Sequence, residues 1–146
     1  MKTVSYLFLL LCTWAMTVAC NSNKAASAAD SDSTKWRGLD AYHHVMAKVY
    51  HPYKENKDLA PLKKLADSLA AEADRWTADP IPHRVENAEI RSNLDQLKAE
   101  THQLADSVKA GAKEEGIGTS LIKLHEHFHH IMKAWTGDKE ESHEEH

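Results

Sequence analysis

Apolar residues recur in alternating steps of three and four along most of the chain, and this spacing constrains the fold more than any other feature. A helix completes a turn in about 3.6 residues, so this spacing places the apolar side chains on one face. Four segments show the pattern, and none alternates as a strand does. The predicted core positions are Leu39, Tyr42, Val45, Met46 and Val49; Leu59, Leu62, Ala66, Leu69, Ala73 and Trp76; Ile90, Leu94, Leu97, Thr101, Leu104 and Val108; and Leu121, Leu124, Phe128, Ile131 and Trp135.

Proline and capping residues predict the ends of the first two segments. The first runs from about 36 to 50 and is expected to end at His51-Pro52, because a residue before proline is pushed out of the helical region. Asn56 or Asp58 is expected to cap the second segment, with Pro61 in its first turn.

Prolines and glycines also predict the later boundaries. The residues Asp79 to Pro82 break the chain before the third segment. Gly111, and then the residues from Gly116 to Gly118, predict the next break, after which Thr119 or Ser120 is expected to cap the fourth segment. Four amphipathic helices with short connections predict an up-down-up-down antiparallel four-helix bundle over residues 35–137. A three-helix arrangement, in which the first segment is too short to count, is the alternative.

The first 34 residues have the composition of a leader and a tether. Residues 1–19 combine a lysine at position 2 with a short apolar run, which is typical of a secretory signal peptide. The Ala19-Cys20 junction resembles the lipobox of bacterial lipoproteins, which implies that Cys20 carries the lipid (palmitate among its acyl chains) and anchors the protein to a membrane of the bacterial cell envelope, on its periplasmic or outer face. An ordinary signal peptide cleaved near Ala19 is the alternative. The small polar residues of 20–34 then predict a flexible tether.

Composition excludes several classes of function. The only cysteines, Cys12 and Cys20, lie in the leader, so the domain has no disulfide and no thiolate ligand for zinc or an iron–sulfur cluster. There is no CxxCH motif for a covalently attached haem. The net charge of -4 and the absence of a basic stripe argue against a nucleic-acid partner. Residues 138–146 form an acidic tail that contains histidine, and this composition predicts disorder.

The densest chemical feature is HEHFHH, residues 125–130, which falls within the fourth predicted helix. At 100° per residue, His125 and His129 lie on one edge of the apolar stripe, His127 lies on the other edge, and His130 points away from the core. Two imidazoles at i,i+4 can chelate a transition metal ion, but a firm site needs further ligands. The motif therefore offers a ligand pair, with a solvated polar edge as the alternative.

The first helix carries a similar local pattern. The stretch YHHVM, residues 42–46, matches FHHIM, residues 128–132, and the first and last helices of such a bundle are antiparallel neighbours. His43 and Met46 are predicted to lie near the edge that faces His125, His129 and Met132. Imidazole suits copper, zinc and nickel, and thioether sulfur adds a preference for Cu(I). A methionine on an apolar stripe is otherwise core filler.

A secreted bundle with methionine on its first helix and histidine late on its last resembles the soluble b-type cytochromes and cytochrome c-prime. The resemblance implies non-covalent haem b between Met46 and His129, and an electron-transfer function. The resemblance covers the architecture of residues 36–137.

The motifs of common enzymes are absent from the sequence. It contains no HExxH, no glycine-rich phosphate loop and no paired ExxH motifs for a di-iron centre, so catalysis is not expected. Three hypotheses follow: a lipid-anchored transition-metal binder that buffers, senses or transfers the ion, a haem-binding electron carrier, and a structural lipoprotein with incidental histidines. No feature of the sequence identifies a protein partner.

Overall fold

A computed structural model describes residues 35–137, and within this range the chain is all-α. It contains four helices: α1, Arg37–Asn56; α2, Ala60–Ala78; α3, Ala88–Lys109; and α4, Glu114–Thr136. The predicted leader, tether and acidic tail, including Cys20, lie outside the described residues. No helix in residues 35–137 has the length and apolar character needed to cross a membrane.

Each helix packs against its sequence neighbours, and α4 packs back against α1. This closed ring of contacts confirms the predicted four-helix bundle, and the α1–α4 interface is the smallest of the four. The predicted stripes are buried, except that Val45, Val108 and Trp135 are only partly buried. Each large apolar side chain removed from water contributes about 1.5–3 kcal/mol, so these stripes supply the main force that holds the helices together.

The end of α1 differs from the prediction. The helix passes through Pro52 and ends at Asn56, so it has 20 residues and the three-helix alternative is wrong. Lys57 adopts a left-handed conformation, with φ of 59°, and the amides of Lys57 and Asp58 donate to the carbonyls of Tyr53 and Pro52. The bond from Lys57 to Tyr53 is that of an αL cap, and together the two bonds satisfy carbonyls of the last turn of a helix in which proline cannot donate.

The start of α4 also differs from the prediction. The break lies at residues 110–113, where Gly111 has a φ of 66°, and α4 begins at Glu114 rather than after Gly118. Gly116 and Gly118 are therefore inside the helix, and the Thr119 hydroxyl donates to the Glu115 carbonyl instead of capping. Gly118 is explained by tertiary contact rather than by a turn, because a Cβ there would overlap the hydroxyl end of Tyr53.

Side-chain hydrogen bonds occur at the starts of α2 and α3. Asp58 Oδ1 accepts a 2.8 Å hydrogen bond from the Ala60 amide at the start of α2, but the N-cap position is Leu59 and neither Asn56 nor Asp58, the two predicted caps. Asn87, which was not predicted, caps α3 by accepting a 2.8 Å bond from the Ile90 amide. Such caps satisfy amides that have no partner within the helix.

Aromatic rings fill one part of the core. Trp76 packs at centroid distances of 5.2 Å from Trp36 and 5.4 Å from Tyr42, and Tyr42 lies 5.5 Å from Phe128. The buried Tyr42 hydroxyl is 2.9 Å from Thr101 Oγ1, which connects α1 to the diagonally opposite α3. Burial raises the pKa of Tyr42 well above its ordinary value, so this hydroxyl stays protonated. The pair therefore acts as a neutral hydrogen bond that restricts how these two helices align.

Candidate functional site

The seam between α1 and α4 carries the histidines that the sequence singled out. His125 lies at the edge of the α4 stripe with only 8% of its surface exposed. The ring of Tyr50, on α1, stacks on its imidazole with centroids 3.5 Å apart and planes 5° from parallel. This contact covers one face of the imidazole and holds its plane in a fixed orientation.

His125 and His129 form the pair that their i,i+4 spacing predicts. Their Nε2 atoms are 3.1 Å apart and share a hydrogen bond, and His129 is partly exposed. In metal sites an imidazole nitrogen lies about 2.0–2.1 Å from the ion. Two nitrogens 3.1 Å apart at that distance enclose an angle of about 100° at the ion. This angle lies between those of square-planar and tetrahedral coordination, so the separation of the two nitrogens suits one shared ion once the Nε2 lone pairs turn from each other towards it.

The surroundings keep His125 neutral. Burial, and then the positive charges of His129, His51, Lys54 and His43, lower its pKa to about 3. A neutral imidazole has a lone pair for a metal ion, whereas an imidazolium has none. His125 is thus in the ligand-competent protonation state throughout the physiological pH range.

His43 reaches the same region from α1. Its exposed side chain stacks on Phe128, with ring centroids 5.2 Å apart and planes 23° from parallel. Phe128 in turn contacts His129 with a centroid distance of 5.7 Å. The structure therefore places His43 beside the pair, one aromatic ring away from His129.

The two predicted methionines have different environments. Met46 is completely buried among the core side chains, as expected of core filler, whereas Met132 is partly buried on the α4 edge. His129 lies at the partly exposed edge, where it is bonded to His125. Haem ligation by Met46 and His129 would require the core around Met46 to open and the histidine pair to separate.

On the opposite edge of α4, a histidine is hydrogen-bonded to a carboxylate of α3. His127 Nδ1 lies 2.8 Å from Glu100 Oε2 on α3, and Glu100 also accepts a hydrogen bond from Gln96. His130 is exposed and only loosely approached by Glu89, at 3.9 Å. The structure therefore separates the histidines of HEHFHH into the two edges that the helical wheel predicts.

Sequence reasoning missed two polar arrangements. Tyr50 was not recognised as part of the seam, although its position seven residues after His43 places both on one face of α1. Between α2 and α3, Asp74 lies 2.9 Å from His102 and 3.0 Å from Lys98. Hydrogen bonds from these two residues lower the pKa of Asp74, and the exposed cluster is best explained as a surface ion pair.

Within residues 35–137, no group of three or more His, Cys, Asp or Glu side chains is arranged to hold a metal ion. The seam thus presents a two-ligand chelate rather than a closed structural site, which would have four protein ligands.

Comparison of the chain with known protein families, with curated proteins and with solved structures finds no match.

Proposed function

We propose that this protein is a lipid-anchored protein of the bacterial cell envelope whose bundle reversibly binds a transition metal ion through His125 and His129. The observation that carries the proposal is the 3.1 Å separation of their Nε2 atoms. On binding, the ion takes the place of the hydrogen bond between these two atoms: the ring that donates it moves its proton from Nε2 to Nδ1 through solvent, so that both neutral imidazoles coordinate through Nε2 and carry their proton on Nδ1.

The ligand type favours copper, zinc or nickel. Neutral imidazole binds all three, and hard ions such as calcium and magnesium prefer oxygen ligands. The partly buried thioether of Met132 lies one turn beyond His129, and sulfur at this position favours Cu(I). Two fixed protein ligands leave the other coordination positions for solvent or for a group on another molecule, which suits buffering, sensing or transfer better than permanent storage.

The envelope location is part of the same proposal. It rests on the signal-like residues 1–19, the lipobox-like Ala19-Cys20 junction and the small polar residues of 20–34. Incorporation of labelled palmitate in a bacterial host tests it, because Cys20→Ser removes the acylated thiol. Loss of label in Cys20→Ser, with label retained in Cys12→Ser, supports the anchor. Equal labelling of both variants, or no labelling of the parent, contradicts it.

Metal titration of the full chain, purified in mild detergent without a histidine tag, tests the binding site. A ligand at 100 times its Kd stabilises the folded state by about 2.7 kcal/mol. For a domain of this size each kcal/mol shifts the Tm by about 4–8 °C, so zinc, copper or nickel should raise the Tm by about 10–20 °C.

Matched variants identify the ligands. The double variant His125→Ala/His129→Ala should lose the rise in Tm, whereas His44→Ala, an exposed histidine of α1, should keep it. If the double variant responds as the parent does, the proposed site is wrong. A purified parent with a Soret absorption band would favour haem instead, and a parent without metal or any response to added metal would favour a structural lipoprotein.

A further inference from the structure

We infer that the ion held by His125 and His129 takes its third ligand from His43, so that metal binding clamps α1 to α4. The inference rests on the proposed function and adds a consequence to it, because occupancy of the site would then stabilise the interface between the first and last helices. That interface is the smallest in the bundle and so has the fewest interactions of its own to resist local opening.

The alignment of the two helices places His43 beside the α4 pair, on the side of Phe128. Tyr50, which stacks on His125, and His43, which stacks on Phe128, lie seven residues apart and therefore on one face of α1. The face that bears His43 is thus the one in contact with the α4 pair. His51 lies one position beyond Tyr50, about 100° further around the helix, and its side chain is exposed.

The reach of His43 follows from its contact with Phe128. Phe128 directly precedes His129, and both imidazoles touch its ring, at 5.2 Å for His43 and 5.7 Å for His129. His43 is exposed, so it can change rotamer without displacing buried atoms. The clamp requires His43 to rotate away from Phe128 towards the two Nε2 atoms, because the side chains of residues 35–137 as they stand form no group of three ligands.

Three imidazoles with one open position form a common arrangement for an exchangeable zinc or copper ion. In the metal-free state only the α4 pair is preformed, and His43 is held on Phe128. Binding therefore proceeds from a two-ligand state confined to α4 to a three-ligand state that joins two helices. A molecule that removes the ion would release α1 again.

Hydrogen–deuterium exchange of the full chain with zinc ion alone tests the clamp, with isothermal titration to measure affinity. With zinc at 100 times its Kd, amides of Arg37–Asn56 that exchange when α1 separates from α4 should slow by up to about 100-fold. His43→Ala and His43→Gln should still bind zinc through α4, with affinity lower by about 10- to 100-fold, and should lose the protection of α1. The matched control His44→Ala should behave as the parent.

The outcomes separate the two proposals. Zinc binding by both His43 variants with parental affinity and parental protection of α1 would overturn the clamp and leave the His125–His129 site intact. Protection of α4 alone in the parent would overturn it equally. Failure of the parent to bind zinc, copper or nickel, or metal binding that survives His125→Ala/His129→Ala, would overturn the proposed function and the clamp together.

Discussion

Two glycines in the first turns of α4 are expected to respond oppositely to the same substitution. A Cβ at Gly116 has no heavy atom within 4 Å, whereas a Cβ at Gly118 would overlap the Tyr53 hydroxyl and lie 2.8 Å from Tyr53 Cε2. Alanine in a helix is favoured over glycine by about 0.5–1 kcal/mol because it lowers the entropy lost on folding. Gly116→Ala should therefore stabilise the protein by about that amount.

Gly118→Ala gains the same propensity term but must displace Tyr53. Forcing an extra methyl group into a packed contact costs about 1–3 kcal/mol, so the substitution should be neutral or destabilising by up to about 2 kcal/mol. The two alanine variants should then differ by about 1–3 kcal/mol. Urea unfolding followed by circular dichroism measures this difference directly, provided that the slope with denaturant is unchanged.

Removing Tyr53 provides the decisive control. In a Tyr53→Ala background the overlap is gone, so Gly118→Ala should become stabilising and resemble Gly116→Ala. The double-mutant cycle between Gly118 and Tyr53 should give a coupling energy of about 1–3 kcal/mol. If Gly118→Ala stabilises the parent as much as Gly116→Ala does, or if Tyr53→Ala leaves its effect unchanged, the contact does not explain the glycine.

Three further substitutions test the core and the site. Gly38→Ala should destabilise the fold by about 1–3 kcal/mol or more, because its Cβ would overlap Cδ1 of the fully buried Trp76; a Tm equal to that of the parent would contradict the packing. Tyr42→Phe should cost about 0.5–1.5 kcal/mol in urea unfolding, since it removes the bond to Thr101 and leaves that hydroxyl donating to the Leu97 carbonyl; no measurable cost would contradict a role for this bond. The pKa of His125 is about 3 in the folded state and about 6.5 when unfolded, so the unfolded state binds more protons between these values and stability falls as the pH decreases from 6.5 towards 3. With a chelator present, the free energy of unfolding of His125→Gln should fall less steeply than that of the parent, by up to about 1.4 kcal/mol per pH unit. Identical pH profiles for variant and parent would refute the shift in the pKa of His125.

Most of the architecture could be predicted from the sequence because it depends on periodicity. The stripes from Leu59 to Trp76 and from Ile90 to Leu104 are buried as predicted, since a helix with one apolar face must cover that face. The division of HEHFHH into two edges follows from the same geometry. His125 and His129 share an edge because they are four residues apart, whatever the helix packs against.

Helix ends were predicted less well, because proline and glycine describe local preference only. Pro52 does not end α1, since hydrogen bonds of the cap around Lys57 complete its last turn. Gly118 does not break α4, since it accommodates Tyr53 from a helix more than sixty residues away in the chain. A local pattern contains no information about such a distant partner.

The sequence by itself determined the all-α class, the four helices and the pairing of His125 with His129 on one edge, because each of these depends on spacing within a single helix. Only the tertiary structure decided that His125 is buried against Tyr50, that its Nε2 lies 3.1 Å from that of His129, and that Met46 fills the core while His43 remains exposed beside the pair. Burial, ring orientation and rotamer depend on which side chains of α1 meet α4. The packing of the whole bundle fixes which side chains of α1 contact α4, and the spacing of residues along one helix cannot predict these contacts.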